Sequence, residues 1–182
     1  MKQNLPERIH IIGSVGSGKT TLARALSKRQ GIPHYELDNI VWERHPSGDI
    51  RRSDEERDAC LAGIIATKRW IIEGAHHQEW VGKSFRNADF IVFLDVPYRI
   101  RIYRIIKRYI WQLLALEEAN YKPSFKMFKS MFRWNRIFEK EGKPRILAML
   151  NQVGTESLVL KDCKDFERSI GRRAVPLKED SI

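Results

Sequence analysis

Residues 9–26 read IHIIGSVGSGKTTLARAL, and the spacing inside this stretch decides the fold. An apolar run stops at Gly13, a G-x-x-x-x-G-K-[ST] pattern fills residues 13–20 without a mismatch, and a helical pattern opens at Lys19. Glycines at 13, 16 and 18 let the backbone curl so that successive N–H groups point inward around phosphate oxygens. The helix that follows adds partial positive charge at its N-terminus. Gly13, Ser14, Val15, Gly16, Ser17 and Gly18 form the expected cradle, with Lys19, Thr20 and Thr21 at its helical end. Lys19 is expected to reach the β- and γ-phosphates, and the Thr20 hydroxyl to ligate Mg²⁺. The stretch predicts a site for ATP, or another nucleoside triphosphate, with Mg²⁺.

Outward from this loop, short β-rich apolar runs recur at 8–14, 32–38, 69–75, 89–97 and 156–162. Helical patterns separate them, at 19–30 and at 53–68, the second opening on SDEE with Ser53 as N-cap and Glu56 at the capping-box position. Runs such as FIVFL suit strands buried on both faces. Strand–helix alternation then predicts an α/β fold of three layers, a five-stranded parallel sheet covered by helices. One domain spanning 1–182 is expected, since 182 residues make one well-packed core.

The alternation stops between 98 and 150. YRIRIYRIIKRYIWQLLALEEA predicts one long helix and KPSFKMFKSMFRWNRIFEK a second, and EGKPRILAMLNQV restarts a third after Gly142 and Pro144. This reads as a helical insertion before the last strand. It also holds the charge: 13 Lys+Arg against 4 Asp+Glu, a net of +9 out of +10 for the chain. Such a segment attracts polyanions, whether nucleotide phosphates, DNA or an acidic membrane surface. No helix-turn-helix or zinc-finger pattern accompanies it.

Two cysteines, Cys60 and Cys163, give neither metal-ligand spacing nor a disulfide framework. The first residues do not read as a signal peptide, and no run nears the roughly 20 apolar residues that span a bilayer. A soluble, cytoplasmic protein without a membrane partner is the expectation. The sequence leaves its oligomeric state open.

A triphosphate site needs a carboxylate near its metal, at a strand end beside the loop. Glu73 and Asp95 are the strand-end acids, and Glu73 is preferred because Gly74 beside it permits close approach. Asp38, placed at the end of the second strand, would orient or deprotonate an acceptor hydroxyl. Trp42 reads as either a stacking surface for substrate or core. His76 and His77 are adjacent, so they point apart and make a poor metal pair; at most one reaches substrate. Arg101, Arg104 and Arg108 share a helical face and would neutralise charge over a triphosphate. Lys126, Lys129, Arg133 and Arg136 continue the basic theme, and Phe125, Phe128, Phe132 and Trp134 read as a buried face.

With these residues in hand, the chain resembles the adenylate-kinase-related branch of P-loop kinases, and within it the small bacterial DNA topology modulation proteins. The likeness spans roughly residues 7–170 and is carried by GSVGSGKTTLA, LDNIVW, WIIEGAH, FIVFLDVP, YRIIKR and FEKEGKPRIL in that order. It implies an ATP-dependent kinase, with a mobile lid at about 98–150, acting on a small hydroxyl or nucleotide-type acceptor. It implies that Glu73 helps organise Mg²⁺ and that Arg104 and Arg108 are lid arginines, one against the donor base and one near the phosphates. Asp162-Cys163-Lys164 would lie beside the donor base, and Asp38 matches the acceptor-side carboxylate of shikimate- and gluconate-type kinases. One departure matters: adenylate kinases carry an arginine shortly after the strand-three acid, to grip the acceptor phosphate. Here none follows Glu73 before Arg86. An effect on DNA topology, through the surface of 98–150, is the alternative that the resemblance carries.

Overall fold

The apolar runs at 8–13, 70–74 and 90–94 form strands sealed between two helical layers. The computed structural model describes residues 6–114, 125–166 and 168–169. β1 (Arg8–Gly13) leads through the phosphate loop into α1 (Lys19–Gln30), followed by β2 (His34–Glu36) and α2 (Leu37–Val41). A two-residue hairpin, β3 (Trp42–Glu43) and β4 (Ile50–Arg51), precedes α3 (Asp54–Ile65). Next come β5 (Trp70–Gly74), α4 (Gly82–Asn87) and β6 (Phe90–Leu94). Helices α5 (Tyr98–Leu113), α6 (Phe125–Ile137) and α7 (Lys143–Val153) then lead to β7 (Ser157–Leu160).

The sheet runs β2-β5-β1-β6-β7, with every neighbouring pair parallel. Alternate residues on each strand feed two cores. Ile9, Ile11, Ile71, Val92 and Leu94 pack with Leu22, Ala23 and Leu26 of α1 on one face. Ile12, Trp70, Ile72, Ile91 and Phe93 pack with Leu37, Leu61, Phe85 and Ile146 on the other. This is the expected three-layer α/β fold. β1 is central, so the loop after it sits mid-sheet, at the carboxyl ends of the strands where parallel sheets collect ligands.

Local chemistry explains the boundaries. α3 carries the expected capping box, with Glu56 N donating to Ser53 Oγ at 3.2 Å and Ser53 N to Glu56 Oε2 at 2.8 Å. The second strand is shorter than expected, so Asp38 lies in the first turn of α2 and not at a strand end. Fully buried Leu37 draws the chain inward there, and its side chain packs where a Cβ on Gly74 would stand. That contact also revises the reason for preferring Glu73, because Leu37 and not a ligand occupies the space beside Gly74.

The helical segment departs further from expectation. α6 does not stop before a restart; a π-helical turn, Phe138–Gly142, carries it directly into α7. Pro144 falls in the first turn of α7, where its missing N–H is tolerated, and the wider turn absorbs the change of register. The expected ends of the first two helices, at 115–119 and 122–124, lie outside the described residues. Phe125 and Trp134 are exposed where a buried face was expected; Phe128 and Phe132 are half-buried, Phe128 stacked on Tyr109 at 4.3 Å. No helix among the described residues is long and apolar enough to cross a membrane.

Candidate active site

The loop between β1 and α1 takes the shape its glycines permit. Gly16 (φ 77°) and Gly18 (φ 93°) adopt left-handed conformations that side chains resist. Ser17 N donates to Ser14 O at 3.2 Å, and Lys19 Nζ donates to the same carbonyl at 3.0 Å. α1 begins on Gly18 with no side-chain cap and no acid in its first turn among the described residues, which leaves its N-terminal amides open to an anion. Val15 is half-buried and Thr21 exposed.

Glu73 comes from β5, the strand beside β1, and is only 3% exposed. Thr20 Oγ1 donates to its Oε1 at 2.5 Å. Burial pushes the Glu73 carboxyl up, against the pull of Lys19 and the Thr20 hydrogen bond. Burial likewise lowers Lys19, while Glu73 and Asp38 hold it up. A hydroxyl and a buried carboxylate in contact make a hard-oxygen pair that suits Mg²⁺. The donor set therefore fits that ion.

Across the loop, Asp38 Oδ1 lies 3.0 Å from His76 Nε2. The His76 hydrogen bond, opposed by burial and aided by Lys19 and Arg44, holds the Asp38 carboxyl below its ordinary range. Asp38 thus lies within the field of Lys19. His76 was one of two histidines with no assigned direction, and only the packing of the segment after β5 turns it to Asp38. His77 instead lies against Gly142 in the π-helical turn.

The three arginines of α5 do different things. Arg104 Nη1 donates to Ser17 O at 3.2 Å and its Nη2 to Asp162 Oδ2 at 2.8 Å, joining the phosphate loop to the segment after β7. Cys163 of that segment lies against Gly18. Arg108 Nη2 reaches Met131 Sδ at 3.4 Å, and its charge bears on Lys19. Arg101 leaves the expected stripe: it is 1% exposed, paired with Glu139 and packed over the rings of Tyr98 and Phe138. Asp95 is likewise structural, bound to Lys143 at 2.8 Å and Lys161 at 2.5 Å. Trp42 is exposed on its hairpin and is not core.

One residue escaped the sequence entirely. Asn135 of α6 is fully buried and accepts a 2.9 Å hydrogen bond from Ser14 Oγ. Its only signal is a single amide within FRWNRIF, at the position where α6 turns inward. Ser14 thus links the helical segment to the carbonyl held by Lys19.

The chain is similar in sequence and fold to known proteins. A family model for the AAA domain matches residues 9–110. Protein YqaC of Bacillus subtilis is 31% identical over 146 residues, 78% of this chain and 76% of that protein. Cytidylate kinase of Pyrococcus horikoshii is 25% identical over 147 residues, 71% of this chain and 70% of the kinase. Shikimate kinase from Acinetobacter baumannii, solved in complex with shikimate, shares the fold with a TM-score of 0.60 at 18% identity, over 98% of this chain and 97% of that chain. The family match takes in the phosphate loop, Asp38, Glu73 and the arginines of α5, and on that match this chain belongs to the AAA domain family of P-loop proteins.

Proposed function

We propose that this protein is an ATP-dependent phosphotransferase that moves the γ-phosphate to a hydroxyl of a small acceptor. The observation that carries the reading is the Asp38–His76 pair, whose carboxylate acts on Lys19 together with that of Glu73, itself in contact with Thr20. A carboxylate near the phosphate lysine, held by a histidine, suits proton acceptance from an attacking hydroxyl.

In this reading the acceptor oxygen attacks the γ-phosphorus, and the bond to the β–γ bridging oxygen breaks. ADP leaves, and the acceptor proton passes to Asp38. The lowered pKa keeps Asp38 ionised at neutral pH, and His76 orients it. Lys19 and the loop amides hold the β- and γ-phosphates, and Arg108 neutralises charge that builds during transfer. Thr20 and Glu73 would hold Mg²⁺, which supplies charge neutralisation on the phosphate oxygens. Arg104 fixes the donor side through Ser17 and Asp162.

The lack of an arginine between Glu73 and Arg86 favours a small hydroxylated acid over a nucleoside monophosphate. A regulator of DNA topology draws support from the net +9 of residues 98–150. Against it, the arginines nearest the loop face inward to Glu139, Asp162 and Met131.

The test is ADP formation from Mg-ATP across nucleosides, nucleoside monophosphates, small hydroxylated acids and duplex DNA. A hydroxylated acid should raise the rate well above background, and Asp38→Asn should cut that rate by about 10²–10⁴-fold with little change in the KM for ATP. A variant as fast as the parent removes Asp38 from the chemistry; stimulation by DNA alone overturns the kinase reading. Arg104→Ala should weaken ATP binding about tenfold by calorimetry, because charge-assisted contacts are lost on both sides of the loop. Unaltered ATP affinity would leave Arg104 a structural tie only.

A further inference from the structure

α5 inverts the usual amphipathic pattern. Its inward side carries Arg101 and Ile105, both 1% exposed. Roughly opposite, Tyr103, Ile106, Ile110 and Leu113 recur every three or four residues and so form one ridge, about 15 Å long at 1.5 Å per residue. They are 64%, 38%, 47% and 59% exposed. A ridge of aliphatic and aromatic side chains facing water has no role in the site described above, which uses the other side of this helix.

The neighbouring helix supplies the second observation. α6 packs on α5 through Phe128 on Tyr109 and Met131 on Arg108. Its solvent side carries Lys126, Lys129, Arg133 and Arg136, all exposed and spaced three, four and three apart. Among the described residues none of these four pairs with an acid, nor do Arg99 and Lys107 on α5. By contrast, Arg8, Arg24, Arg44, Arg57, Arg101 and Arg104 all have carboxylate partners. Lys129 covers Phe125 and Lys107 covers Trp111, so the cations stand directly on apolar surface.

We propose that the outward faces of α5 and α6 form a docking surface for an anionic phospholipid bilayer. Two packed helices, one with an apolar ridge and the other with lysines and arginines that have no acid partner among the described residues, supply the composition that sinks into the headgroup boundary, the ridge entering the acyl edge and the cations meeting lipid phosphates. Charge selects this occupant. A second copy of the chain would set like-charged faces against each other. Duplex DNA would satisfy the cations and leave Ile106, Ile110 and Leu113 against a charged backbone. The proposal goes beyond the expectation of a protein without a membrane partner and involves surface attachment only, since no helix among the described residues is long and apolar enough to span.

The experiment is co-sedimentation of the full chain with sucrose-loaded vesicles of phosphatidylglycerol and phosphatidylcholine (1:1), beside phosphatidylcholine alone, in 0.1 M salt. Binding should appear on the anionic vesicles only. Ile106→Ser with Ile110→Ser should lower partitioning at least tenfold. Lys126→Gln, Lys129→Gln and Arg133→Gln together should lower it about a hundredfold, at about fivefold per cation. Circular dichroism melts establish that both variants fold, which these exposed positions allow. Anisotropy of a labelled 20-base-pair duplex and sedimentation equilibrium without lipid complete the set. Absence of binding to anionic vesicles overturns the proposal, as does binding that the isoleucine pair does not affect. Duplex binding in place of vesicle binding assigns the cations to nucleic acid instead. A dimer that the isoleucine changes dissolve assigns the ridge to a second copy.

Discussion

Replacing Lys19 with alanine is expected to lower ATP turnover by about 10³-fold while leaving the fold in place. Lys19 opens α1, and its ammonium sits on the Ser14 carbonyl within the field of Glu73 and Asp38. Burial lowers its pKa and the two acids oppose that, so the group proposed to meet the phosphates is held in a partly desolvated place. An interaction of that kind strengthens as charge builds on the transferring group, so its loss falls on the rate more than on the structure. The side chain is not part of either apolar core. The thermal midpoint should therefore move little, and circular dichroism checks it. Turnover within a few-fold of the parent would remove the phosphate loop from catalysis, whatever the acceptor.

The second large effect concerns stability. His10 lies in the middle of β1, fully buried, its ring 4.4 Å from that of Phe85. Neither ring nitrogen has a hydrogen-bond partner among the described residues, and burial pushes the pKa down to about 3. In the unfolded chain it returns to about 6.5. Between those values the unfolded state binds a proton that the folded state refuses, so stability falls as pH drops below about 6.5. By pH 5 the loss is about 2 kcal/mol from this one residue. His10→Leu removes the titration and keeps an apolar side chain of similar size. In urea unfolding at pH 7 and pH 5, the advantage of the leucine variant over the parent should grow by about 2 kcal/mol. Equal pH dependence in the two proteins would show that His10 takes up its proton while folded.

Much of this molecule is legible along the chain because its signals are local. A complete G-x-x-x-x-G-K-T between an apolar run and a helical pattern constrains only neighbouring residues, so the loop, its glycines and the start of α1 follow from residues 13–20 alone. The parallel sheet follows in the same way, since Trp70 to Ile72 and Phe90 to Leu94 are apolar on both faces and Ile9 to Ile12 is apolar save for His10. The capping box of α3 needs only Ser53 and Glu56. Glu73 is readable as a strand-end acid beside the loop, and its 2.5 Å contact with Thr20 agrees with that.

What eluded the sequence depends on where helices point once they pack. Arg101, Arg104 and Arg108 form one stripe by spacing, yet Arg101 is drawn inward to Glu139, from a helix 38 residues away. Asp95 and Glu73 look alike as strand-end acids, and only the approach of Lys143 and Lys161 turns Asp95 into a structural anchor. His76 could not be told from His77 until the segment after β5 set one ring against Asp38. Asn135 reaches Ser14 across 121 residues, a distance over which no periodicity carries information.

Sequence by itself thus determined the phosphate loop, the order of the five strands of the parallel sheet along the chain and the concentration of positive charge in 98–150. Those features arise from backbone stereochemistry, burial pattern and composition, which act within a few residues or by simple sum. Tertiary structure alone decided that Asp95 turns to Lys143 and Lys161, which histidine meets Asp38 and which cations on α6 lack an acid among the described residues. Partner choice is made by side chains brought together from distant segments, and the rotation of each helix about its axis is set by the core it covers.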